Sequence, residues 1–208
     1  MFLNRHAKPG RVCWFAMRII AGTLRSRVLQ APPGLATRPT SDRLRETLFN
    51  VLAPRIAGAS FLDLYAGSGA AGIEAHSRGA AFVTFVERAP AALKVLQANL
   101  DRLGLGAGFR IHTGSAASFL RRPQTRGAEF DIVFLDPPYD AAEEYAATLG
   151  LLGGSASGLL AAGAVVIAEH RRKEKLELRY GSLERTRLLE QGDAALSFYA
   201  VPAAAESE

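Results

Sequence analysis

Short apolar runs alternate along the chain with stretches whose apolar residues recur at helical spacing, and glycine or proline marks many of the joins. Ile132-Val133-Phe134-Leu135 is an unbroken apolar run, as expected of a strand covered on both faces in a parallel sheet. Comparable strands are predicted up to Asp63-Leu64-Tyr65, over Ala81–Glu87 (AFVTFVE), at Phe109–His112 and at Ala164–Ala168. Helices fill the intervals. One follows Gly69, one spans Ser115–Leu120, and one starts near Glu143. The clearest runs from Pro90, suited to a first helical position, to Leu103, with Leu93, Leu96, Leu100 and Leu103 along one side and Gly104 placed to end it. Leu183–Leu189 and Ala194–Val201, around Gln191-Gly192-Asp193, read as a terminal β-hairpin. Strands alternating with helices predict an α/β domain with a mostly parallel sheet.

The N-terminal part reads differently. Residues 1–16 look like a flexible leader, and Met17, just before the strand-like RIIAG, is a candidate start. Period-two alternation then puts Leu24, Ser26 and Val28 on one face and Arg25 and Arg27 on the other. In Thr37–Asn50 (TRPTSDRLRETLFN), Thr40 or Ser41 can cap a helix and Asp42 suits its first turn. Leu44, Leu48, Val51 and Leu52 mark its apolar face, which leaves Arg43, Arg45, Glu46 and Asn50 off that face. The expected organisation is therefore a leader (1–16), a basic extension of hairpin plus helix (17–58), the α/β domain (59–201) and a tail (202–208).

Charge sharpens this division. Residues 1–60 hold ten Lys/Arg against two acids, whereas the remainder holds fifteen against eighteen, so a net charge of +5 is concentrated at the N-terminal end. Such a block suits a polyanion, or else is a solubilising surface. The single Cys13 excludes an intramolecular disulfide, and the four scattered histidines have no metal-site spacing. Residues 145–168 carry no charge, but their glycines and serines fit a helix, a loop and a buried strand better than a membrane span. A cytoplasmic monomer is expected.

Two stretches carry candidate chemistry. In the first, a strand ending near Asp63 leads into Ala66-Gly67-Ser68-Gly69 and a helix, where backbone N–H groups can face a ligand. Gly67, Gly69 and Gly72 match a GxGxxG fingerprint, and Glu87 ends the next strand twenty residues after Gly67, where a carboxylate can take ribose hydroxyls. These features suit either NAD or S-adenosylmethionine. In the second, Asp136-Pro137-Pro138-Tyr139 directly follows the apolar strand. A carboxylate and the Pro137 carbonyl can accept both hydrogens of an –NH2 group, and the Tyr139 ring can stack on the base that carries it. A proline-stiffened turn is the bland alternative.

DPPY resembles the motif of S-adenosylmethionine-dependent amino-methyltransferases. Together with RIIAG, TRPTSDRLRETLFN, the glycine loop and Glu87, it resembles the RsmD family of 16S rRNA guanine-N2 methyltransferases from Met17 to about Val201. That resemblance implies a class I methyltransferase fold, with a seven-stranded, mostly parallel Rossmann-like sheet and a small N-terminal hairpin extension. It places Asp63 and Ala66–Gly69 at the methionine end of S-adenosylmethionine, Glu87 at the ribose, and Ser115 and Ala116 at the adenine. Ser115 stands where the broader pattern often has an acid. Asp136 and Pro137 would hold the guanine amine while Tyr139 stacks on the base, with Pro138 beside it. Arg25, Arg27, Arg38, Arg43 and Arg45 would lie toward 16S rRNA or the cofactor mouth, the substrate being an assembling or assembled small ribosomal subunit. With an ordinary carboxylate pKa of about 3.9, Asp136 would be an orienting acceptor more than a base. Rival readings are another DPPY enzyme acting on DNA adenine or a glutamine amide, a nicotinamide-dependent oxidoreductase, and an RNA-binding module without catalysis. The identity of the bound cofactor separates these classes.

Overall fold

The computed structural model describes residues 17–31, 39–122, 129–138 and 142–202. Its centre is an eight-stranded sheet in the order β3-β2-β1-β4-β5-β8-β7-β6. The strands are β1 (Ser60–Asp63), β2 (Phe82–Glu87), β3 (Phe109–Thr113), β4 (Phe130–Leu135), β5 (Leu160–Arg171), β6 (Arg179–Tyr180), β7 (Leu183–Gln191) and β8 (Ala194–Ala200). β3, β2, β1, β4 and β5 are mutually parallel, and β8, β7 and β6 complete the sheet in antiparallel fashion. The expected seven strands are present; the eighth is the two-residue β6, too short to leave a periodic signal. The predicted terminal hairpin is β7–β8.

Side-chain parity sorts the core into two layers. Phe61, Phe85, Phe134, Ile167 and Phe198 lie in one cluster with helices α1 (Pro39–Leu52), α2 (Ala70–Ser77) and α3 (Pro90–Arg102). Leu62, Val86, Val133, Leu135 and Val166 lie in the other with α4 (Ala116–Leu120) and α5 (Ala142–Leu152). The uncharged stretch resolves into α5, a 3-10 turn (Ser157–Leu159) and β5, and no helix among the described residues is long and apolar enough to cross a membrane.

α3 follows its sequence closely: Pro90 is in the first turn, Leu96 and Leu100 are buried, and Gly104 adopts φ 69° past the end. In α1 the buried face is wider than the four apolar residues suggested. Phe49 is buried and stacks on Phe61 at 6.2 Å between centroids, and Arg45 is buried as well. The capping side chains proposed at Thr40 and Ser41 lie outside the described residues.

The N-terminal segment pairs Arg18 with Val28 in an antiparallel bridge, but the alternation expected over residues 23–29 is not what forms. Residues 21–26 turn the chain, and Ser26 sits at φ 67°, which resets the parity. Ile19 and Leu29 are therefore buried while Val28 is 42% exposed. This hairpin is fastened to the α/β domain by polar contacts. The fully buried Glu74 of α2 accepts the N–H groups of Ile20 (2.7 Å) and Ala21 (3.0 Å) and the Nε–H of Arg78 (2.6 Å). The buried Asn99 of α3 accepts the N–H of Gln30 at 2.8 Å and donates to the Ser68 carbonyl at 2.9 Å. Ile19, Leu29 and Leu44 belong to the same apolar cluster as the sheet, so the described residues of the extension share its core.

Candidate active site

From β1 the chain continues to β2 on one side of the sheet, yet β4 joins β1 on the other. The loops after β1 and β4 thus flank a topological switch point, where open α/β sheets leave a crevice. The two loops are joined at their roots by the Leu64 N–H, which donates to the Phe134 carbonyl at 3.0 Å.

The β1 loop is the glycine-rich segment. Gly67 (φ 55°) and Gly69 (φ 83°) take left-handed backbone, and Gly69 leads into α2. Gly72 serves packing: a Cβ there would lie 2.2 Å from the Phe85 ring, so the helix can approach β2 only without a side chain at this position. Ala66 and Ser68 are buried, and the Ser68 hydroxyl reaches the Met17 sulfur at 3.4 Å.

Two carboxylates brace this loop from below. Asp63 is buried and accepts the Gly72 N–H at 3.1 Å; burial raises its pKa to about 7 despite that bond, with Asp136 and Glu87 adding repulsion. Glu87 accepts the Gly67 N–H at 2.8 Å through one oxygen, and the Arg88 (2.8 Å) and Ala89 (2.7 Å) N–H groups through the other. The oxygen that faces Gly67 accepts only that one N–H and keeps a lone pair for a ribose hydroxyl. At the next loop the Ser115 hydroxyl caps α4 by accepting the Ser118 N–H at 3.1 Å, and it keeps its own proton to donate; Ala116 is buried beneath it.

The β4 loop carries Asp136, half-buried, then the buried Pro137 and the exposed Pro138. Tyr139 and Arg38 lie outside the described residues. Burial drives the Asp136 carboxyl well above the ordinary carboxylate range, and Glu169 beside it pushes the same way. The value near 3.9 expected from sequence therefore does not hold here, and Asp136 is a better proton acceptor than its residue type implies.

Glu169 was not singled out in the sequence, yet it belongs to this site. Strand register aligns Asp63 with Phe85 and with Phe134, and Phe134 with Ile167. Glu87, Asp136 and Glu169 each follow two residues later, one pleat above Asp63 and on the same face. Adjacent strands β2, β1, β4 and β5 thus each deliver a carboxylate to the crevice. The recoverable signal was the repeated step of apolar residue, one residue, acid: Phe61–Asp63, Phe85–Glu87, Phe134–Asp136 and Ile167–Glu169. Burial raises Glu169 to about 7, and Arg45 opposes the shift.

Arg45 corrects the sequence reading. Grouped there with arginines toward 16S rRNA or the cofactor mouth, it is 7% exposed, donates to Asp42 (2.8 Å) and to the Arg18 carbonyl (2.6 Å), and has a buried Nε with no partner among the described residues. It is no part of an exposed phosphate-binding face. Arg25, Arg27 and Arg43 are exposed.

A row of carboxylates beside a tightly turned glycine loop suits a ligand with hydroxyls and positive charge. S-adenosylmethionine, with its ribose diol, ammonium and sulfonium, matches that donor set. Comparison with known proteins agrees. Residues 17–200 match the family model described as Conserved hypothetical protein 95. The chain is 36% identical over 183 residues to YlbH of Bacillus subtilis (strain 168), provisionally named an rRNA methyltransferase, covering 88% of this chain and 98% of that one. It is 46% identical over 132 residues to ribosomal RNA small subunit methyltransferase D of Escherichia coli (strain K12), an alignment spanning 64% of this chain and 65% of the relative. The solved structure of Escherichia coli yhhF, provisionally named a methyltransferase, superposes with a TM-score of 0.75 at 40% identity, over 88% of this chain and 96% of that one.

Proposed function

The chain belongs to the Conserved hypothetical protein 95 family, the RsmD family, and on that premise we propose that it methylates the exocyclic N2 amine of a guanine in 16S rRNA. The observation that carries this reading is the placement of Asp136 one pleat above Asp63 and across the switch point from the glycine loop. A methyl donor on one loop and an amine acceptor on the other would meet there. The substrate class draws its support from the relative named for small-subunit ribosomal RNA. Its setting would be an assembling or assembled small ribosomal subunit, in the cytoplasm, with the enzyme acting as a monomer.

S-adenosylmethionine, when bound, supplies an electrophilic methyl group on a sulfonium. The protein's part is positioning. Asp63 and Glu87 fix the glycine loop, and Glu87 retains acceptor capacity for a ribose. Asp136 and the Pro137 carbonyl would accept the two amine hydrogens. That arrangement favours a pyramidal nitrogen with its lone pair directed toward the methyl, and orientation of this kind supplies much of the rate. Asp136, held above its ordinary pKa, can then take up the proton that the methylated amine gives up. The amine lies on the Watson–Crick edge, so the guanine must be unpaired or flipped, with Tyr139 proposed to stack on it.

Two measurements test the proposal. In calorimetry, S-adenosylmethionine should bind in the micromolar range, near −8 kcal/mol, and NAD should not bind. With labelled cofactor and small subunits from cells lacking the enzyme, the product nucleoside should be N2-methylguanosine. NAD binding without S-adenosylmethionine binding refutes the methyltransferase reading; methylation at another atom refutes the substrate.

A further inference from the structure

Asp136 and the Pro137 carbonyl suffice to hold an –NH2 group, whether on guanine, adenine or an amide. They do not explain a choice of base. Beside the N2 amine, guanine presents a second donor, N1–H, whereas the corresponding ring nitrogen next to the adenine amine is an acceptor. A site that selects guanine therefore needs a second acceptor next to the one that takes the amine.

The sheet provides one. Leu135 pairs with Ala168 in parallel register, so Asp136 and Glu169 are the next residues outward on neighbouring strands. Both follow the same face, after Phe134 and Ile167, and both are half-buried at the crevice. On its other flank Glu169 lies beside Leu196 of β8, which is apolar and buried. The charged groups that act on Glu169 are Asp136 from β4 and Arg45 from α1. Arg45 brings a buried Nε–H without a partner among the described residues, and Glu74 lies within its electrostatic reach. Among the described residues, nothing donates a hydrogen bond to either the Asp136 or the Glu169 carboxylate.

We propose that Glu169 is a specificity-determining residue of the amine site, accepting the N1–H of the target guanine while Asp136 accepts from N2. This rests on the guanine-N2 reading given above. Two such carboxylates side by side tend to share a proton, and a protonated Glu169 would be a weaker acceptor for N1–H and could donate to the ring nitrogen of adenine. Burial favours protonation of Glu169, and the Arg45 guanidinium opposes it. Adenine would set its bare ring nitrogen against a carboxylate, two acceptors facing each other.

The experiment is a base-by-residue cycle. Small subunits are reconstituted with 16S rRNA carrying either guanine or 2-aminopurine at the target position. 2-Aminopurine keeps the amine but has no N1–H. Its missing O6 affects every enzyme form alike and cancels in the cycle. Wild type should prefer guanine in kcat/KM. Glu169→Ala should shrink that preference about tenfold or more, since a hydrogen bond to a charged acceptor is lost only with guanine. Glu169→Gln, which preserves volume and can turn its amide toward either base, should shrink the preference too while binding S-adenosylhomocysteine like wild type. Equal slowing of both substrates in both variants would make Glu169 structural and overturn the inference. Failure of the wild type to methylate guanine at N2 would overturn the guanine reading and this inference together, and that outcome is seen without any variant.

Discussion

The two ends of the crevice are built from the same side chain and treat it in opposite ways. At the glycine-loop end, Asp63 and Glu87 are tied to backbone N–H groups: Asp63 to Gly72, Glu87 to Gly67, Arg88 and Ala89. At the end formed after β4 and by β5, Asp136 and Glu169 have one another and a nearby arginine. The first pair spends much of its acceptor capacity on holding a loop in shape before any ligand arrives. The second pair keeps its capacity for whatever enters. One end is preorganised by the protein and the other is completed by the substrate, which fits a site that holds one reactant in place and admits the other.

That contrast can be broken or sharpened by substitution. The largest expected effect is on stability at the braced end. A buried carboxylate whose folded pKa is near 7, against 3.8 ordinarily, is neutral at low pH and must ionise in the core as pH rises. Its contribution is therefore full below about pH 4 and is lost progressively up to about pH 7. The difference in unfolding free energy between wild type and Asp63→Asn should change by about 3 kcal/mol across that window, with wild type losing ground at the alkaline end. A flat difference curve would show that Asp63 is already ionised in the native protein at acid pH. Asp136→Ala should leave S-adenosylhomocysteine affinity nearly unchanged while slowing methyl transfer about a hundredfold or more. Loss of cofactor binding in parallel with rate would erase the distinction between the two ends.

Smaller effects probe the supports. Gly72→Ala forces a methyl against Phe85 and should cost about 1–3 kcal/mol in chemical denaturation, with the site chemistry untouched. An unaltered midpoint would mean that α2 can retreat from β2 freely. Smallest is the outer charge. Arg25→Ala with Arg27→Ala should flatten the salt dependence of RNA binding by less than about one unit of log–log slope per lost phosphate contact. An unchanged slope would make both residues a solvated surface only.

The sequence made much of this legible where a residue type has a single physical use. Pro90 and Gly104 bound α3, the glycines of the β1 loop had to turn or to pack, and the run Ile132–Leu135 had to be buried. It was less legible where tertiary partners decide. Arg45 looks like a surface cation on a helical wheel, and only the approach of the Arg18 carbonyl, Asp42 and Glu169 makes it a buried one. Val28 and Leu29 exchanged places because Ser26 adopts a left-handed turn that no local alternation announces. Glu169 was hidden for another reason. A lone acid near the end of an uncharged run has no meaning until register sets it beside Asp136.

The fastening of the N-terminal hairpin also bears on how the protein is made. Its anchors lie far downstream: Ile20 and Ala21 depend on Glu74, 54 and 53 residues later, and Gln30 depends on Asn99, 69 residues later. During synthesis, residues 17–31 leave the ribosome well before the helices that hold them exist. Contacts of such separation carry a loop-closure cost and form late. Glu74 must then enter the core with only Arg78 to bond, or wait for the hairpin to reach it. The segment translated first among the described residues is thus among the last to find its place, and its arrival completes the hydrogen bonding of the helix that follows the glycine loop.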